Sequence, residues 1–308
     1  MSFTLTLGNV ILTLLYILPG YAFCKWKKFK GEHLTTLSAL LVYLCAPCQM
    51  VSSFLAVDFS KREATYMVLF FVVTLVLQSI FMGIVYLLLC RRHKESKYRV
   101  FSIATVLGNV GFFGQPLVRA LLPDHPEALC YSMIFSLSMN VLAFSMGVFC
   151  LTGNKKYVSI KPAIFNPTML GFAIALPLYV FAVGQYLPSA LTGSIDLLGR
   201  MTAPLCMIIL GIRLATVKLK PLFMRPLIYV LCASKMLIFP LFCYAAVYFL
   251  PLPFSFKATL LILTATPCAA IILNLAELHE SETELAANCV LVTTLLCFLT
   301  IPLITLLL

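Results

Sequence analysis

The sequence predicts an all-α integral membrane protein of ten transmembrane helices, arranged as two inverted five-helix repeats with broken crossover helices 4 and 9. Three observations predict it. The chain of 308 residues is 62% hydrophobic and 11% charged, with a mean hydropathy of +1.03, whereas a soluble domain carries about a quarter charged residues. Its apolar residues come in runs that reach the roughly 20 residues of helix needed to cross a bilayer. The prolines inside those runs recur at a near-constant interval between the two halves of the chain.

Ten apolar runs lie at about 4–24, 34–57, 66–90, 101–122, 128–152, 167–187, 191–216, 227–250, 255–277 and 284–308. The first is expected to be a retained helix. Met1 to Leu7 lacks a basic segment, and the run continues past signal-peptide length before it meets Lys25. Short connections leave no room for a separate soluble domain. The halves are read as 1–153 and 167–308, joined by a short cytoplasmic linker at 154–166.

Orientation follows from the basic residues. Loops after spans 1, 3, 5 and 7 carry fifteen: Lys25, Lys27, Lys28, Lys30, Arg91, Arg92, Lys94, Lys97, Arg99, Lys155, Lys156, Lys161, Lys218, Lys220 and Arg225. The opposite loops carry three, Lys61, Arg62 and Lys257. The positive-inside rule then places both termini outside the cytoplasm, with the plasma (inner) membrane as the expected location. The acidic segment Glu277 to Glu284 falls on the cytoplasmic side, and acidic residues count little in this rule.

The formal charge of +11 is thus loop charge that sets topology, and it does not form the continuous basic surface that nucleic acid requires. Of twelve cysteines, Cys45, Cys90, Cys150, Cys206, Cys232, Cys243, Cys289 and Cys297 fall within or at the ends of apolar runs, where thiols act as small apolar groups. The one CxxC pair, Cys45 and Cys48, is mid-span and has no second pair, so neither a metal nor a redox cofactor is implied.

Five spans per half is an odd number, so a repeat between the halves is inverted across the membrane. Pro19 pairs with Pro177, Pro47 with Pro204 and Pro116 with Pro267, at offsets of 158, 157 and 151 residues. The flanks agree too, with CAPCQM at Cys45–Met50 against TAPLCM at Thr202–Met207. Inverted repeats are characteristic of secondary transporters.

Proline removes a backbone donor and frees a carbonyl, which in hydrocarbon costs several kcal/mol unless it lines a cavity or meets protein. Span 4 reads TVLGNVGFFGQPLVRALL and gathers Asn109, Gly114, Gln115 and Pro116. Span 9 has Thr264 and Thr266 just ahead of Pro267. Crossing near the midplane, two such breaks bring half-helix ends to one point. N-terminal ends attract anions, and C-terminal ends and freed carbonyls suit cations or amide donors. Asn109, Gly114, Gln115, Pro116, Thr266 and Pro267 are therefore the expected substrate-binding residues.

Span 5 adds Ser132, Ser136 and Asn140 on one helical face. The serines read as hydrogen-bonding glue between helices; for Asn140, glue and cavity lining stand equally open, and it joins the expected substrate-binding residues. Of the embedded charges, Lys235 is deepest. It either holds a substrate carboxylate or neutralises a broken-helix end. Arg119 follows Pro116 by three and is expected to draw in anions. Asp196 and Arg200, one turn apart, read as a local ion pair, and Arg213 and Glu277 as snorkelling charges near cytoplasmic ends. The sequence has no GxxxxGK[ST], HExxH or GxSxG motif, so neither ATP hydrolysis nor an intramembrane enzyme is supported.

GNVGFFGQPL at Gly108–Leu117, APLCMIILGIRLA at Ala203–Ala215 and the stretch Pro267 to Pro302 together resemble the auxin efflux carrier family of bacterial transporters, related to plant PIN-type carriers. The resemblance spans the whole chain and rests on the order and spacing of these segments. It implies a ten-helix inverted-repeat fold shared more distantly with bile-acid/sodium symporters. Spans 1, 2, 6 and 7 would form a dimerising scaffold, and spans 3–5 and 8–10 a core that moves like an elevator. It also implies transport of a small organic anion, with crossover residues at Asn109, Pro116 and Pro267. Many relatives carry a polar residue four positions after the span 9 proline, where this chain has Ile271. A substrate is therefore expected to sit closer to span 4. A membrane ligand sensor on the same fold is the alternative. A cation–proton antiporter finds less support, because no Asp or Glu is mid-span.

Overall fold

The computed structural model describes residues 2–29, 31–159, 161–216 and 225–308. Lys30, Lys218 and Lys220, which entered the loop-charge comparison, lie outside the described residues. Every regular element among the described residues is helical, and the one extended pairing is an isolated bridge.

Seven helices among them are long and apolar enough to cross a membrane. They are α1 (Phe3–Lys25), α2 (Glu32–Leu55), α3 (Lys61–Leu88), α5 (Glu127–Thr152), α7 (Ser189–Thr216), α8 (Pro226–Tyr248) and α10 (Thr283–Thr305). Lys155–Ile164 bends by 43° into α6 (Pro167–Val180), which makes an eighth if that pair is one span. The other two predicted segments are discontinuous: α4a (Ser96–Ala104) and α4b (Gln115–Leu121), then α9a (Phe254–Thr264) and α9b (Ile271–Leu278). Apolar side chains face outward as well as inward. Leu12, Val68, Leu88 and Phe249 are all more than half exposed, as a hydrocarbon surrounding permits.

Proline accounts for three of the four π-helical turns among the described residues, Ala143–Gly147 being the fourth. A π-helical turn ends two residues before Pro47, Pro116 and Pro240, at Leu41–Cys45, Val110–Gly114 and Ser234–Ile238 respectively. The proline ring would collide with the carbonyl four residues back, and one wide turn moves that carbonyl aside without ending the helix. Pro177 and Pro302 instead sit inside continuous helices.

The helices fall into two packed groups. Ile17–Lys25 of α1 lies on Thr202–Thr216 of α7, while α6 and Ser189–Arg200 of α7 cover Ala46–Leu55 of α2. Small residues permit the closest of these approaches. A Cβ at Gly20 would stand 2.1 Å from the Ile208 carbonyl oxygen, and one at Gly211 2.1 Å from that of Ile17. In the second group α3 packs on α5, α9a lies between α5 and α8, and α10 touches α4a, α8 and α9b. Phe70 of α3 stacks on Tyr131 of α5 at 4.9 Å and meets Phe256 of α9a edge-on at 4.7 Å. Thr74 and Gln78 of α3 both donate to Ser138 Oγ of α5, which is buried polar glue between helices. The first half of α1 also packs along α10, and α2 touches α5, so the groups are in contact.

Candidate functional site

The two breaks satisfy each other. After α4a the chain unwinds at residues 106–109, and after α9a at residues 265–269. The Asn109 N–H donates to the Pro267 carbonyl at 2.7 Å, and the Ala269 N–H donates to the Leu107 carbonyl at 3.1 Å. Gly108 and Cys268 thereby form an antiparallel bridge inside a helical protein. Backbone groups released by the two breaks would otherwise be orphaned in an apolar interior. The Cys268 N–H finds Thr293 Oγ1 of α10 at 2.9 Å.

Gly108 is demanded by the closeness of this crossing. A Cβ there would lie 2.5 Å from Thr266 Oγ1 and 3.0 Å from Lys235 Nζ. Lys235 is fully buried, and its Nζ donates to the Thr264 carbonyl at 2.9 Å while lying 4.8 Å above the Phe239 ring. Thr264 ends α9a, so the ammonium sits at the negative end of a half-helix. This is the contact expected of a lysine at a broken-helix end.

A polar brace ties the α4 break to α2. Gln49 Nε2 donates to the Gly111 carbonyl at 2.9 Å and to Gln115 Oε1 at 2.8 Å. Gln115 Nε2 donates to Ser53 Oγ at 3.3 Å, and the Ser53 hydroxyl donates to the Gln49 carbonyl at 2.8 Å. All three side chains are buried.

Beside the crossing lies a cavity of about 430 Å³, within the usual range for small-molecule sites. One face of each surrounding helix lines it. On α7 these are Cys206, Ile209, Leu210 and Arg213, at the i, i+3, i+4, i+7 spacing of a single face. Ser136 and Asn140 of α5, Gln49 and Met50 of α2, and Ile271 and Asn274 of α9b line other sides. Asn109 reaches in from the α4 break, with Nδ2 3.9 Å from Cys206 Sγ.

Of the residues expected to bind substrate, Asn109 and Asn140 line this cavity. The rest stand behind its wall. Gly114 admits Leu263 and Thr266, since a Cβ there would lie 2.8 and 2.9 Å from them. Gln115 belongs to the brace, and Pro116 follows it in the first turn of α4b. Thr266 is buried and donates to the Leu263 carbonyl at 2.6 Å, while the Pro267 carbonyl is taken by Asn109. Arg119 is engaged elsewhere, 3.0 Å from Asp196, which also holds Arg200 at 2.6 Å and accepts from Ser52 Oγ at 2.6 Å. Ser132 is not interhelical glue; its hydroxyl donates to Ala128 of its own helix.

Sequence reasoning missed Gln49, Cys206, Arg213 and Asn274 as lining residues. Arg213 is a wall of the cavity and not only a snorkelling charge. Asn274 gives the α9 side a carboxamide one turn beyond Ile271, so that side is less apolar than Ile271 alone suggested. The signal was present on α7, where Cys206 and Arg213 share a face with the apolar residues between them.

Comparison with known sequences finds membrane transporters. The profile described as "Membrane transport protein" matches residues 5–163 and 156–305. An uncharacterized transporter of Methanocaldococcus jannaschii is 26% identical over 307 residues, covering 96% of each chain. An uncharacterized transporter of Methanothermobacter thermautotrophicus is 23% identical over 303 residues, again covering 96% of each. Matched from one end to the other, the chain belongs to the membrane transport protein family, the auxin efflux carrier family of integral membrane transporters.

Proposed function

We propose that this transporter is a secondary transporter of a small organic anion, a carboxylate, and that it works by elevator-type alternating access. The observation that carries the reading is the cavity of about 430 Å³ beside two broken helices whose unwound segments pair with each other. Broken helices are where secondary transporters bind substrate, because irregular backbone in a membrane is tolerated where it lines a cavity or is buried in protein.

In this reading the chain crosses the membrane ten times as two inverted five-helix repeats. The group α1, α2, α6 and α7 is the scaffold, through which two copies pair as a homodimer. The group α3–α5 and α8–α10 is the moving core. The cavity extends to Ser38, Asn166 and Arg213, which lie toward the helix ends that adjoin the basic loops. With those loops cytoplasmic, the conformation is open inward and both termini are outside.

The test is flux in proteoliposomes across a panel of mono- and dicarboxylates, with sodium, proton and voltage gradients imposed in turn. Saturable carboxylate flux is the expected result. Binding that persists with no flux under any gradient would replace transport by ligand sensing.

A further inference from the structure

Lys235, Arg119 and Arg200 are cations on the helices, and each already has a partner: the Thr264 carbonyl for Lys235, Asp196 for the two arginines. Arg213 differs from all three. It is the one charged residue among those lining the cavity, and its guanidinium has no carboxylate or hydrogen-bond partner among the described residues. Side chains on a helix lean toward its N-terminus, and from Arg213 that direction leads along the cavity wall to Cys206 and Asn109. The two positions on α7 are seven residues apart, about 10 Å by helical rise.

The remaining wall is chemically simple. Asn109, Asn140 and Asn274 offer amide donors, while Leu41, Met50, Phe112 and Phe144 offer apolar surface. One cation, a few amides and an apolar lining describe a site for a monoanion with an apolar body. A guanidinium binds a carboxylate through two parallel N–H donors, which a neutral isostere cannot match. Gln49 and Asn166 also line the cavity from the group that holds Arg213, but their amides are already bonded, to Gly111 and Gln115 and to Pro162, Ala163 and Met169 respectively. Asn109, Asn140 and Asn274 lie on α4, α5 and α9, in the other packed group. Movement of one group past the other would part the cation from the amides.

We propose that Arg213 is the anion-selecting contact of this cavity and that it engages the ligand carboxylate only in the conformation open on the Arg213 side. The proposal rests on the transport reading for its second half and on the cavity alone for its first.

The first half is tested by equilibrium binding of phenylacetate and phenylacetamide to the purified full chain, as wild type, Arg213→Gln and Arg213→Lys. Wild type should prefer the carboxylate by about tenfold or more, the size expected of one charge-assisted bidentate contact. Arg213→Gln should reduce that preference to below about threefold. Its amide affinity should not change, which also shows that the variant is folded, and Arg213→Lys should fall between. An intact preference in Arg213→Gln, or none in wild type, overturns the proposal. The second half is tested by phenylacetate uptake into vesicles of both orientations. Arg213→Gln should raise KM about tenfold on the Arg213 side and less than about threefold on the other; an equal rise on both sides overturns the sidedness. A preference abolished by Arg213→Gln without any wild-type flux leaves the contact standing and removes the transport reading. Flux with an unaltered preference in Arg213→Gln does the reverse.

Discussion

Replacing Gln49 with leucine should destabilise the protein by about 2–4 kcal/mol, and the cost should depend on Gln115. The Gln49 amide donates to the Gly111 carbonyl at 2.9 Å and to Gln115 Oε1 at 2.8 Å, and both glutamines are 3% exposed or less. Leucine removes both donors and strands two acceptors where little water reaches. Each buried unsatisfied group costs about 1–3 kcal/mol, and the added apolar burial of leucine returns part of it. Removing Gln115 as well eliminates one of the stranded acceptors. Gln49→Leu combined with Gln115→Leu should therefore cost about 1–2 kcal/mol less than the sum of the single variants. Reversible unfolding by denaturing detergent in mixed micelles, followed by circular dichroism, measures all four corners of the cycle. Costs that add to within about 0.5 kcal/mol would refute the brace. Since Gln49 lies on α2 and Gly111 at the α4 break, the same variant should also loosen the join between the two packed groups.

Other expectations follow from the same contacts. Cys206 is the cysteine that lines the cavity, so a bound carboxylate should slow its alkylation by a small maleimide, read by peptide mass spectrometry; exposed Cys90 should be unaffected. Gly211→Ala should lower thermal stability by an overpacking cost of about 1–3 kcal/mol or more, because its Cβ would stand 2.1 Å from a backbone oxygen. Gly8→Ala, with nothing within 4 Å, should be neutral or slightly stabilising by melting temperature. Lys235→Met should disturb the end of α9a, visible as faster amide exchange near Thr264, while leaving the carboxylate preference of the cavity intact.

The breaks were legible in the sequence because their causes are local. Glycine and proline act on the backbone within a turn, so Gly108, Pro116 and Pro267 announced unwound or widened helix without any tertiary information. What the breaks bond to was not legible. The Lys235 partner is a carbonyl 29 residues away, and the Arg119 partner, Asp196, lies 77 residues off. Cavity lining was harder still. Apolar residues face both lipid and core in a membrane helix, so periodicity alone does not mark the inward face. Gln49 and Asn274 are isolated polar residues in apolar runs, and nothing local separates such a residue from interhelical glue. Ser132 and Ser136 show the difficulty on one helix: a turn apart, the first bonds to its own backbone and the second lines the cavity.

The most direct measurement of the central claim is where a transported carboxylate binds. With the best substrate from the flux panel in hand, its affinity is measured for Asn109→Ala, Asn140→Ala and, as a control outside the cavity, Asp196→Asn. Each asparagine variant should weaken binding by about tenfold to a hundredfold, the loss of one hydrogen bond to a charged ligand, with flux falling in step. No change in affinity is expected for Asp196→Asn. Substrate affinity and flux unaltered in the Asn109→Ala, Asn140→Ala double variant would contradict a binding site at the crossing of the broken helices.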